Sequence, residues 1–196
     1  MYNTPISALL SLLMQITKTQ LADCLLIQPP VYQDNRGLFR ELYVAAKYQA
    51  AGLTQAFVQD NLSSSQQGVL RGMHFQRFKP QGKLISVLHG EIYDVMLDLR
   101  PTSASFGQWQ GIYLDAQQAQ QLWIPPGFAH GFQALSTSAL VSYKTTAYYD
   151  PTDEGAFNAL DPKLAITWPQ PVTVMSDKDR AAPAFEVVKQ QLIAAI

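Results

Sequence analysis

The run Gly68-Val69-Leu70-Arg71-Gly72-Met73-His74-Phe75-Gln76 sets a guanidinium and an imidazole three residues apart in an apolar, glycine-interrupted stretch. Imidazole titrates near neutral pH, so it can take a proton from carbon or return one. Other polar residues stand in apolar text in the same way. Lys83 follows Gln81-Gly82 and opens a strand-like run, and Tyr143-Lys144 interrupts Leu140-Val141 and Thr145-Thr146. Asp177-Lys178-Asp179 falls in a late polar stretch. Taken singly, each has an ordinary structural explanation: a satisfied core histidine, a packed tyrosine with its hydroxyl at a rim, a solvated turn. Taken together they supply a base, an acid, a cation and a carboxylate.

A metal is the first alternative to test. Gly68 and His74 have the spacing of the first half of a metal-binding cupin motif. In that motif a second His stands two residues on and a Glu follows. Here Gln76 takes the second position, and Pro80 and Gln81 stand where the Glu belongs. Pro125-Pro126-Gly127-Phe128-Ala129-His130 fits the other half. Divalent transition metals need several His, Cys or carboxylate ligands on one centre. The chain has three His in all. The expected site is therefore a barrel cavity for a small ligand, without metal, in which His74 is an acid or base and not a ligand.

The elements that must position these residues are strands. Short apolar runs at 24–28, 56–60, 84–88, 92–99, 110–114, 121–124, 131–135 and 140–146 are rich in β-branched and aromatic residues. Their close spacing argues an all-β sandwich or barrel, not a βαβ fold. His89-Gly90-Glu91 reads as a tight hairpin turn. After it, Tyr93, Val95, Leu97 and Leu99 share one face, expected to pack on a second sheet or a partner chain. Ile92, Asp94, Met96 and Asp98 share the other, which suits a ligand-lined interior. Asp94 near the site and Asp98 at a solvated strand end are both open readings. Helical signals are peripheral: 44–51 before Gly52, and 185–193.

Composition bounds the rest. With 196 residues, 47% hydrophobic and 15% charged, the chain suits one domain with a sizeable core. A net charge of −1 leaves no footprint for nucleic acid or an anionic membrane. A single cysteine, Cys24, excludes a disulfide framework and makes a reducing cytoplasm the simplest setting. The apolar stretch 6–14 is too short to span a membrane and has no Lys or Arg before it. Residues 1–13 are read as a helical or disordered extension, and 14–196 as the single domain.

Eight segments in order resemble the dTDP-4-dehydrorhamnose 3,5-epimerase family of nucleotide-sugar epimerases. They are 34–41 (Asp-Asn-Arg-Gly-Leu-Phe-Arg-Glu), 58–61 (Val-Gln-Asp-Asn), 68–76, 81–83 (Gln-Gly-Lys), 90–95, 121–132, 143–149 and 176–179 (Ser-Asp-Lys-Asp). The resemblance covers about residues 14–180. It implies a cupin-like β-barrel, or jelly roll, with a few short peripheral helices. It also implies an isomerase acting on a dTDP-4-keto-6-deoxyhexose in dTDP-L-rhamnose and O-antigen biosynthesis. The C4 carbonyl acidifies the C3 and C5 hydrogens. A base removes one, an enolate forms, and an acid returns a proton to the opposite face, with neither metal nor redox cofactor.

By this resemblance His74 is the base, Asp179 orients its ring, Tyr143 is the opposing acid and Lys83 stabilises the enolate oxygen. Arg36, Arg71 and Lys178 match diphosphate contacts; a guanidinium fork suits phosphate. Glu41, Gln59, Asp60, Asn61, His130 and Glu154 match substrate-binding positions. Some reach the site from a neighbouring subunit, since the family forms homodimers with exchanged strands. One departure stands out: Ala159 and Leu160 replace the family's usual Trp and Asn, which touches sugar or nucleotide preference. Three other readings remain: an epimerase acting at one carbon only, a metal-dependent cupin, and a non-catalytic sugar-binding cupin.

Overall fold

The computed structural model describes residues 14–194; the extension read at 1–13 lies outside them. Thirteen strands and three helices are present among the described residues. One sheet joins β1 (Gln15–Lys18), β2 (Leu25–Gln28), β10 (Gln121–Ile124), β7 (Lys83–His89), β12 (Ser138–Thr145) and β5 (Gln59–Gln66), in that order. The other joins β13 (Glu154–Ala156), β6 (Leu70–Gln76), β11 (Phe128–Ala134), β8 (Glu91–Asp98) and β9 (Trp109–Asp115). A small hairpin, β3 (Tyr32–Asp34) with β4 (Gly37–Phe39), stands apart. The helices are α1 (Ala45–Ala50), α2 (Asp177–Arg180) and α3 (Phe185–Ile193). Two antiparallel sheets face each other as a cupin-like jelly roll, as expected.

Between the sheets lies an apolar core that includes Ile85, Val87, Ile92, Met96, Phe128, Phe132 and Val141, all buried. Each such side chain contributes about 1.5–3 kcal/mol by leaving water. The two-residue period of a strand carries these rows onward. Lys83 continues the Ile85–Val87 row, and Tyr143 continues that of Val141. His130 lies between Phe128 and Phe132, and Asp94 between Ile92 and Met96. The site residues are thus the polar members of core-facing rows.

Four expectations need correction. The turn at His89-Gly90-Glu91 is not a hairpin: β7 and β8 belong to opposite sheets, so Gly90 is a corner between them. Its φ is +76°, and a Cβ there would lie 2.1 Å from the Ser138 carbonyl oxygen, so only glycine fits. The strand read at 56–60 runs over 59–66, through the polar Ser63-Ser64-Ser65, because eight cross-strand pairs with β12 outweigh its weak propensity. The Tyr93–Val95–Leu97–Leu99 face does not pack on a second sheet. The C-terminal segment covers it with Phe157, Met175, Phe185 and Val188. Asp177-Lys178-Asp179 is not an open turn but the start of α2, where the Ser176 hydroxyl accepts the Asp179 N–H. Of the two readings of Asp98, the solvated one fails: it is fully buried.

Candidate active site

β6 and β11 bring the site together. His74 pairs with His130 and Arg71 with Phe132, so three steps along β6 span two along β11. That bulge lets Arg71 and His74, an odd number apart, line the same cavity. Gly72 allows it: a Cβ there would meet the Gly131 Cα at 2.6 Å. Sequence spacing alone would have put the two side chains on opposite faces.

Two cavities meet here. The larger, about 610 Å³, is lined by Ser63, Ser65, Arg71, His74, Lys83, His130, Tyr143, Ser176 and Asp179, among others. The smaller, about 300 Å³, is lined by Gln59, Asn61, His74, Gln76, Lys83, Tyr143, Tyr149 and Glu154, among others. His74, Lys83 and Tyr143 border both, so they mark the junction.

His74 Nε2 lies 2.6 Å from Oδ1 of Asp179, whose side chain is 5% exposed. The other carboxylate oxygen accepts the Gly72 N–H at 3.4 Å. A carboxylate can only accept, so Nε2–H donates and the lone pair of the neutral ring sits on Nδ1. Lys83 is buried, and burial pushes its ammonium down to about 8, against the opposing pull of Asp94 and Glu154. Among the described residues no hydrogen bond or ion pair reaches that ammonium. Burial also pushes the Tyr143 phenol up, with nearby Arg71 acting the other way, so the hydroxyl keeps its proton at neutral pH.

His130 is held by a second carboxylate, with Nε2 2.8 Å from Asp94 Oδ2. Burial lowers its pKa, although Asp94 opposes the shift, and the ring is neutral at pH 7. The remaining Asp94 oxygen is buried and has no hydrogen-bond partner among the described residues. Asp94, left open by the sequence, therefore lies behind the site; its place in the Ile92–Met96 row was the available signal. Arg71 donates from Nε to Ser65 Oγ at 2.9 Å and from Nη2 to the Ser64 carbonyl at 3.0 Å. Gln59 Nε2 donates to Asn61 Oδ1 at 2.8 Å. Glu154 accepts from the Tyr149 hydroxyl at 2.7 Å and also from Lys178. Ser65, Ser176 and Tyr149 escaped the sequence reading because serines and exposed tyrosines carry no distinguishing pattern.

Four expected residues, Arg36, Glu41, Asp60 and Lys178, line neither cavity within the chain. Arg36 sits on the exposed β3–β4 hairpin, paired with Asp34. Glu41 is paired with Lys47. Asp60 faces away from the cavities on β5 and binds Lys144 Nζ at 2.7 Å, since Gln59 and Asn61 take the inward positions. Lys178 stands at the rim, 60% exposed, and touches the small cavity through Glu154. Gln76, at the second metal-ligand position, uses its amide on the Lys79 and Tyr148 carbonyls and the Asp150 N–H. Among the described residues no group of three or more His, Cys, Asp or Glu could hold a metal. Ala159 is buried outside the cavities, with its carbonyl accepting from Trp168 Nε1 at 3.0 Å, and Leu160 is exposed. The departure from the usual Trp and Asn thus bears on packing, not on the cavity wall.

A jelly roll whose cavity gathers an oriented imidazole, a protonated phenol and a buried ammonium is a cupin of the acid–base kind. The family model described as dTDP-4-dehydrorhamnose 3,5-epimerase matches residues 18–187. The dTDP-4-dehydrorhamnose 3,5-epimerase of Methanothermobacter thermautotrophicus is 47% identical over 166 residues, 83% of this chain and 90% of that one. That of Escherichia coli is 44% identical over 185 residues, 92% of this chain and 100% of that one. Among solved structures, the dTDP-6-deoxy-D-glucose-3,5-epimerase of Legionella pneumophila, in complex with dTDP-4-keto-L-rhamnose, superposes with a TM-score of 0.87 at 47% identity. That match covers 91% of this chain and 96% of the other. The chain belongs to the dTDP-4-dehydrorhamnose 3,5-epimerase family.

Proposed function

We propose that the protein is an isomerase that epimerises dTDP-4-dehydro-6-deoxy-D-glucose at C3 and C5 to dTDP-4-dehydro-L-rhamnose. The observation that carries this reading is the junction of the two cavities, where His74, Lys83 and Tyr143 meet with Asp179 behind His74. His74 Nδ1 removes the proton from C3 or C5, and Asp179 stabilises the imidazolium that forms. The electron pair moves into the C4 carbonyl, and the Lys83 ammonium meets the enolate oxygen. Tyr143 then protonates the opposite face of the carbon. Both carbons keep their oxidation state, so the balance calls for no redox cofactor.

Arg71 takes the diphosphate, with Lys178 at the rim. Gln59, Asn61, His130 and Glu154 hold the rest of the substrate. Arg36, Glu41 and Asp60 belong to this binding set only in a homodimer with exchanged strands, where one protomer's hairpin serves its partner's cavity. The exposure of Phe39 and Leu38 on that hairpin, 65% and 56%, supports such a second copy. The reaction is assigned to the cytoplasm, where the single buried thiol of Cys24 stays reduced. Among the described residues no helix is long and apolar enough to cross a membrane.

The test is proton NMR in D2O with dTDP-4-keto-6-deoxyglucose. Deuterium at both C3 and C5 with inverted product is the expected result. Exchange at one carbon alone identifies a single-site epimerase. Binding without exchange identifies a sugar-binding cupin and overturns the reading.

A further inference from the structure

Arg71 has an unusual setting for a charged side chain at a cavity wall. It rises from β6 in one sheet and is held by β5 of the other, through Ser65 Oγ at Nε and the Ser64 carbonyl at Nη2. Both acceptors are neutral, and among the described residues no carboxylate lies within ion-pair distance of it. The charge of the fork is therefore not offset by a carboxylate of the chain. A guanidinium has five N–H donors, so three remain for a ligand. Ser65 is buried, 5% exposed, on the same inward row of β5 as Asn61 and Ser63.

We propose that Ser65 is a positioning residue for the diphosphate: its hydroxyl fixes the plane of the Arg71 fork, so that the free donors face the phosphates in the larger cavity. The proposal rests on the reading of the substrate as a nucleoside diphosphate sugar. An arginine without this hold retains its rotamer freedom until binding, and ordering it then weakens the complex. Phosphate recognition by arginine depends on that planar geometry, so a displaced fork loses more than a displaced point charge.

The test is calorimetric titration of dTDP and of inorganic pyrophosphate, with steady-state kinetics, on wild type, Ser65→Ala, Ser65→Thr, Arg71→Ala and the double variant Ser65→Ala/Arg71→Ala. Loss of one hydrogen bond to a charged group predicts about tenfold weaker binding of both probes to Ser65→Ala. KM should rise with kcat changed less, the pattern of lost uniform binding. Thr keeps the acceptor and should bind nearly as wild type does. The double variant should bind no more weakly than Arg71→Ala alone, a coupling that a purely structural serine would not show.

Unchanged affinity in Ser65→Ala, or effects of the two substitutions that simply add, overturns the proposal. If Ser65→Ala does not fold, Ser65→Cys replaces it: a thiol is a weak acceptor of similar size, so equal binding by the Cys and Thr variants overturns the proposal as well. A wild type that binds dTDP but exchanges no deuterium would sink the epimerase reading and leave this one standing. An active enzyme indifferent to Ser65→Ala would sink this one alone.

Discussion

His74 and Asp179 are 105 residues apart in the chain, yet Nε2 of one lies 2.6 Å from Oδ1 of the other. α2 carries the carboxylate to β6, and the Ser176 cap holds it there. The pairing sets the tautomer and leaves Nδ1 as the basic atom. His74→Ala should therefore lower deuterium exchange at C3 and C5 alike, by about 10²–10⁴-fold, because one base serves both carbons. Asp179→Asn keeps the shape but loses the charge that stabilises the imidazolium, and should lower kcat at both positions together. NMR exchange rates check both, and near-normal exchange in folded His74→Ala would remove His74 from the mechanism.

Tyr143→Phe separates the acid from the base. The ring and its packing remain, while the proton donor is gone. Proton removal by His74 should continue, and delivery to the opposite face should fail. The expected product is deuterated with retained configuration. Inversion of C5 at the wild-type rate would show that Tyr143 only packs.

The buried Lys83 makes opposite demands on activity and stability. Its ammonium, at about 8 by burial, must be charged to meet an enolate, so kcat/KM should fall as pH rises through about 8. The ordinary lysine value of the unfolded chain is about 10.4, so between the two values the unfolded state binds the extra proton. Stability from this group therefore rises with pH across that window and is lost as pH falls through about 8. Lys83→Met should abolish both dependences and lower kcat about 10²–10³-fold, as removal of an oxyanion donor does. A pH–rate profile and urea melts across the same range read the two effects.

Asp98 tests the fold without touching the cavities. It is fully buried and accepts from the Arg100 N–H, Nε and Nη2 and from the hydroxyls of Ser103 and Ser105. Asp98→Ala strands these donors and should cost about 3 kcal/mol in urea unfolding. Catalysis per folded molecule should be unchanged.

EDTA should leave activity intact, since Gln76 spends its amide on backbone groups and no metal-sized ligand cluster stands among the described residues. Loss of activity restored by a divalent ion would overturn the acid–base reading.

Strand periodicity carries much of the architecture. It set an all-β architecture and put Asp94 on one strand face with Ile92 and Met96, while residue type set Gln76 where a metal-binding motif has its second His. These are local consequences of a two-residue repeat and of residue type. The roles of the residues became legible only through resemblance, because no single polar side chain announces its chemistry. Tertiary structure alone decided the rest. The bulge at Gly72 turns Arg71 and His74 to one side, and the Gly90 corner sends β7 and β8 to different sheets. The polar β5 is a strand because β12 pairs with it, and the C-terminal segment covers the outer face of β8. Within one chain, Arg36, Glu41 and Asp60 stay outside the cavities. Each of these depends on contacts between segments far apart in the chain, whose free energies no local pattern of residues encodes.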